Sequence, residues 1–142
     1  MIKEDYVSFE TAKLLKERGF NADAEHDIWY VVEKFSTGCH WNSCTYKVGD
    51  ITREYDEKCC IVMPTLQMAM KWIREQGFYI NVDIDVDYDE DERGTKWYHK
   101  PAWDWAVFRI DERKQMSDDG ALYATYEQAA EAAIKWCLEN LF

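Results

Sequence analysis

This chain predicts an α+β fold on two observations. Three stretches show helical periodicity, each opened by a hydroxyl residue, and the stretches between them are rich in β-branched and aromatic residues or alternate apolar with polar. The expected arrangement is a single α+β domain over residues 1–142, with three amphipathic helices packed on one face of an antiparallel sheet. Composition permits it: 47% of the 142 residues are hydrophobic and 15% aromatic, enough to close a core without metals or disulfides.

The first helix opens at Ser8-Phe9-Glu10-Thr11-Ala12, where the Ser8 hydroxyl suits an N-cap and accepts a bond from an otherwise orphaned backbone N–H. Its apolar face is short, using Phe9, Ala12 and Leu15, and Gly19-Phe20 reads as its C-cap. Ile28 to Phe35 is rich in β-branched and aromatic residues and is expected as a strand. Weaker strand signals lie at Thr45 to Val48 and Lys58 to Met63. The second helix begins at Thr65-Leu66-Gln67-Met68-Ala69; Leu66, Ala69, Met70 and Ile73 form its apolar stripe, and Gly77-Phe78 ends it.

Tyr79 to Tyr88 alternates strictly, with Ile80, Val82, Ile84, Val86 and Tyr88 on one side and Asn81, Asp83, Asp85 and Asp87 on the other. That is the pattern of an antiparallel strand with one wet face. Trp103 to Asp111 reads as a second strand, and Ser117-Asp118-Asp119-Gly120 as a turn leading into Ala121-Leu122-Tyr123. The third helix starts at Thr125-Tyr126-Glu127-Gln128-Ala129, where Thr125 and Gln128 fit a capping box. Its stripe is Tyr126, Ala129, Ala130, Ala133, Ile134, Cys137 and Leu141. The three helix starts lie roughly 60 residues apart, which raises an αββ-αββ-α pseudo-repeat, although any capped helix docked on a sheet looks similar.

The helix phrases Tyr6-Val7-Ser8-Phe9-Glu10-Thr11-Ala12-Lys13-Leu14-Leu15-Lys16, Met63-Pro64-Thr65-Leu66-Gln67-Met68-Ala69-Met70-Lys71-Trp72 and Tyr126 through Leu141 resemble a family of small uncharacterised proteins from Bacteroides-type gut bacteria and their phages and mobile elements. The likeness covers all three helices in order and extends to the strand around Trp103 to Ile110; residues 21–60 depart from it. The resemblance implies a cytoplasmic accessory protein of bacterial or phage origin, and it brings no activity, substrate or catalytic residue.

Charge narrows the function classes. Lys and Arg number 17 against 28 Asp and Glu, a formal charge of −11, and the positive residues are not clustered. Phosphate backbones and anionic lipid are therefore disfavoured as partners. The longest apolar run is far too short to span a bilayer. Five cysteines and a start, Met1-Ile2-Lys3-Glu4-Asp5, with no secretory character point to free thiols in a reducing cytoplasm.

The most unusual tract is the aspartate series Asp83, Asp85, Asp87 and Asp89, continued by Glu90, Asp91 and Glu92. Alternate strand residues stand about 6.7 Å apart on one face. A row of carboxylates there must be solvated, cation-bound or matched by a basic partner. Neither register of the tract supplies the glycine and closing glutamate of an EF-hand. The aromatic series Trp97, Tyr98, Trp103 and Trp105 offers a stacking or protein-contact surface, or, for the two tryptophans that share a strand face, core under a helix.

Cys39, His40, Cys44, Cys59 and Cys60 lack the spacing of zinc knuckles, and adjacent Cys39-His40 lacks the geometry of a nucleophile–base pair. Cys137 belongs to the apolar stripe of the last helix, while His26 and His99 stand alone in polar surroundings. No cofactor, metal or catalytic residue is assigned. The expected function is that of a non-enzymatic interaction protein meeting a basic protein partner or a second copy. A small ligand-binding protein or enzyme with an aromatic and carboxylate pocket is the alternative, and an acidic DNA mimic a minor one.

Overall fold

The computed structural model describes residues 5–20, 28–35, 38–47, 60–62, 64–86, 88–118 and 120–142, and their side chains except those of 28–35, 38–47, 60–62 and Tyr98. The elements run in the order α1 (Phe9–Glu17), β1 (Ile28–Phe35), β2 (Gly38–Lys47), β3 (Cys60–Val62), α2 (Leu66–Glu75), β4 (Phe78–Asp85), β5 (Tyr88–Glu90), β6 (Lys96–Tyr98), β7 (Ala102–Arg109), β8 (Lys114–Asp118) and α3 (Tyr126–Asn140). Among the described residues, three helices with antiparallel strands make this an α+β fold, as the sequence predicts. The strands form two three-stranded sheets, β2-β1-β3 and β4-β7-β8, and a separate ribbon, β5-β6. The chain divides into two compact units, Met1–Ala69 with Leu138–Phe142, and Met70–Cys137, so the boundaries fall inside α2 and α3.

In the first unit, Ser8 caps α1 as expected: its Oγ accepts from the N–H of Thr11 at 3.2 Å. The Ser8 hydroxyl also donates to Thr11 Oγ1 at 3.1 Å, which gives the buried Thr11 side chain a polar contact. The helix ends in a Schellman arrangement. Phe20 N–H reaches back to Leu15 O at 2.9 Å around Gly19, whose φ of +94° is the left-handed conformation that glycine adopts without strain. The segments preceding α1 and α2 are bound together, with Val7 N–H on Pro64 O, Leu66 N–H on Asp5 O and Tyr6 bridged to Thr65. Val7, Ala12, Leu15, Leu66, Ala69 and Leu138 are buried, and Arg18 Nε–H donates to Leu138 O at 2.9 Å. β1 is antiparallel to both β2 and β3, with an irregularity at Tyr30/Val31.

The expected strand at Ile28 to Phe35 has those bounds. The weak signal at Thr45 to Val48 marks only the end of a strand that begins at Gly38, and Val48 lies outside the described residues, as do His26 and Cys59.

The second unit holds the β4-β7-β8 sheet. β4 and β7 pair without interruption from Phe78↔Arg109 to Asp85↔Ala102, and Gly77 O accepts Ile110 N–H at 3.0 Å, which carries the ladder one step into the turn after α2. The register puts Ile80 beside Val107 and Val82 beside Trp105, so one face of the sheet is apolar. That face lies against α3. Trp103 meets Tyr126 edge-on at 5.5 Å, and Trp105 packs on Trp136 at 5.8 Å with the rings tilted 42°. Met70, Ile73, Ile80, Trp105, Val107, Ala129, Ala130, Ala133, Ile134 and Cys137 are buried in this unit. Thr125 caps α3 through Gln128 N–H at 3.1 Å; among the described residues the return bond of a full capping box, from the Gln128 side chain, is absent.

The expected turn at Ser117-Asp118-Asp119-Gly120 and the unbroken strand at Tyr79 to Tyr88 are both overturned in part. Ser117 and Asp118 belong to β8 rather than to a turn, because pairing with β7 holds Lys114–Asp118 extended despite its polar composition. Within Ala121-Leu122-Tyr123, Tyr123 forms an isolated antiparallel bridge to Trp103. The alternating tract also breaks. β4 stops at Asp85, and the chain resumes as the β5-β6 ribbon at Tyr88.

Candidate functional site

The break in the alternating tract divides the aspartate series. Asp83 and Asp85 lie exposed on the face of β4 opposite to Ile80 and Val82; Asp87 lies outside the described residues; Asp89 belongs to the ribbon. The carboxylates thus do not form a single row, and β4 gains acidic company from elsewhere. Asp83 is paired across the sheet with Asp104 of β7, and Ala106, two positions on and on the same face as Asp104, pairs with Asp118 of β8. Asp83, Asp85, Asp104 and Asp118 therefore share one face of a three-stranded sheet.

The electrostatics follow from that register. Partial burial raises the Asp104 pKa above its ordinary value of 3.8, and repulsion from Asp83, Asp85 and then Asp118 raises it further, against a smaller lowering by its backbone hydrogen bond. Side-chain amides cover part of the charge. Asn81 Nδ2 donates to Asp83 Oδ2 at 2.5 Å, and Gln115 Nε2 to Asp118 Oδ2 at 2.7 Å. At the other end of the same face Tyr79 is paired with Phe108, so the surface grades from aromatic to acidic along the strands. Asp104 and Asp118 were not expected from the sequence. A signal for Asp104 was available: if Trp103 and Trp105 point inward, the residue between them points out.

The aromatic series is likewise divided. Trp103 and Trp105 lie on the β7 face that meets α3, and Trp105 is only 3% exposed. Trp97 stands on β6 at 55% exposure, while the side chain of Tyr98 is outside the described ones. The ribbon is closed by an ordinary turn in which Asp91 Oδ1 accepts from Arg93 N–H and Thr95 N–H. One of its faces carries Lys96 Nζ 4.4 Å above the Tyr88 ring. The other carries Trp97 and the facing Asp89, whose Oδ2 is 3.0 Å from His99 Nε2.

Among the described residues, no group of three or more His, Cys, Asp or Glu side chains is placed to hold a metal ion, and no helix is long and apolar enough to cross a membrane. The side chains of Cys39, His40, Cys44 and Cys60 fall outside the described ones. Cys137 is fully buried on α3, and desolvation pushes its thiol up to about 12, which makes it an inert core residue rather than a nucleophile. Among the described residues, one buried side-chain polar atom lacks a partner: Nε1 of Trp105. No protein-family profile, curated protein or solved structure matches the chain.

Proposed function

We propose that this is a non-enzymatic interaction protein whose acidic sheet face, Asp83, Asp85, Asp104 and Asp118, meets a basic protein partner. The carrying observation is the direct opposition of Asp83 and Asp104 at the centre of that face. Like charges placed opposite each other on paired strands destabilise a sheet. A structural role for the face would be better served by amides or hydroxyls at those positions. A partner's Lys or Arg relieves the repulsion on binding, and the overall charge of −11 steers such a partner toward it. Exposed Trp97 on the neighbouring ribbon adds the kind of broad, rigid side chain that anchors protein contacts. A cytoplasmic accessory role, and an origin in bacteria or their mobile elements, accord with the family likeness of the three helices.

The test is affinity capture from a native host lysate with the wild-type chain and with the triple variant Asp83→Asn, Asp85→Asn, Asp104→Asn. A protein retained by the wild type, released by salt and lost from the variant supports the reading. An unchanged set of captured proteins overturns it, and a DNA-binding enzyme whose activity is blocked would move the reading to DNA mimicry.

A further inference from the structure

The three strands of the acidic sheet differ in how their edges are kept. β7 is central. β8 is five residues long and carries an irregularity in its pairing opposite Val107/Phe108, and short or bulged strands make poor templates for further pairing. β4 is eight residues long, regular throughout, and paired with a strand on one side only among the described residues.

The hydrogen bonds of β7 fix which backbone groups β4 offers on its open side. Trp103 exchanges both of its hydrogen bonds with Tyr123, N–H to O at 2.9 Å and O from N–H at 2.8 Å, so the Trp103 backbone points away from β4. Along a strand these directions alternate. Ala102, Asp104, Ala106 and Phe108 consequently bond β4, and their partners Asp85, Asp83, Asn81 and Tyr79 turn inward to the ladder. Ile80, Val82 and Ile84 direct their N–H and C=O groups outward. Ile80 is buried, but Ile84 is 51% exposed and Val82 only partly covered, so the available stretch is the half of β4 that also bears Asp83 and Asp85.

We infer that this half of the β4 edge takes an extended protein segment as an added strand, one with Lys or Arg at two alternate positions and an apolar residue between them. The inference rests on the basic-partner reading above and specifies how that partner binds. Opposed residues on paired strands share a face, so the residues facing Asp83 and Asp85 must be cations and those facing Val82 and Ile84 apolar. A second copy of the chain does not fit. Antiparallel pairing of two β4 edges centred between Val82 and Ile84 sets Asp83 against Asp83, and centred on Ile84 it sets Asp83 against Asp85.

The probes are three capped heptapeptides of the same composition: valine and lysine in strict alternation, the same residues in two blocks, and the alternating peptide N-methylated at the valines. Titration is followed by the backbone amide signals of Val82 and Ile84, with Ile84→Pro as the variant. Proline there removes an outward N–H and leaves the β4–β7 bonds in place. The alternating peptide is expected to bind wild type roughly tenfold or more tighter than the block or methylated peptides, and to lose a similar factor on Ile84→Pro. Equal binding by all three, abolished by Asp83→Asn with Asp85→Asn, would overturn the strand-addition inference and leave the acidic-face reading standing. Binding indifferent to those two substitutions would overturn both. If Ile84→Pro unfolds the protein, the methylated peptide still decides the matter.

Discussion

Asp83 and Asp104 face each other across the β4–β7 ladder, two carboxylates on paired strands with Asp85 and Asp118 close enough to raise the Asp104 pKa further. The folded state therefore holds the Asp104 proton more tightly than the unfolded chain does. Its contribution to stability is complete below the ordinary value of 3.8 and is lost as the pH rises through the higher folded value. Asp104→Asn should raise stability at neutral pH by about 0.5–1 kcal/mol and flatten the acid end of the pH–stability curve. Denaturant melts of both proteins across the acidic range measure it; a loss of stability at neutral pH would mean that the carboxylate has a favourable partner.

The three helix caps should be separable by alanine substitution. Ser8→Ala, Thr65→Ala and Thr125→Ala each remove a hydroxyl that accepts a first-turn N–H, at 3.2, 3.2 and 3.1 Å. Each is expected to cost about 1 kcal/mol in thermal or denaturant unfolding. Thr65→Ala should cost most, because Thr65 is buried, whereas Ser8 and Thr125 are exposed.

These caps are also where the fold was most legible. A cap and a stripe are local: the residues that specify α1, α2 and α3 lie within a few positions of one another, so periodicity alone finds them. Strand pairing is not local. Lys114–Asp118 carries no β-branched residue, and its extension comes from β7. The acidic face was half legible for the same reason. Asp83 and Asp85 announce themselves by alternation, while Asp104 and Asp118 join them only through a register that the sequence does not display.

Backbone conformation gives a paired expectation. Gly77 has φ +98° with open space where a Cβ would stand, so Gly77→Ala tests dihedral strain without a steric clash. It should lower stability by about 1–2 kcal/mol. Arg113 adopts φ +49° in the turn between β7 and β8, a conformation that costs a non-glycine residue energy. Arg113→Gly is expected to shift the melting temperature less than Gly77→Ala, and not downward; a clear loss would show that the Arg113 side chain contributes to the turn.

Cys137 should resist alkylation in the native protein. With its thiol pushed up to about 12 and no exposed surface, it has almost no thiolate at neutral pH and no path for a reagent. Mass mapping of the peptide that contains it should find iodoacetamide adducts only once denaturant unfolds the second unit. Labelling in native buffer would indicate that α3 opens locally.

The Trp105–Trp136 contact makes the protein its own optical gauge. Two indoles 5.8 Å apart and tilted by 42° share excitation, so their coupled circular-dichroism band reports the docking of α3 on β7 and vanishes when that contact separates. The unpartnered Nε1–H of Trp105 adds a second readout. An indole proton without an acceptor gives a high-frequency N–H stretch and an upfield amide-region resonance, so its infrared and NMR signals stand apart from those of solvated tryptophans. A partner that reshapes the sheet face on one side of β7 would register on the other side without any added label.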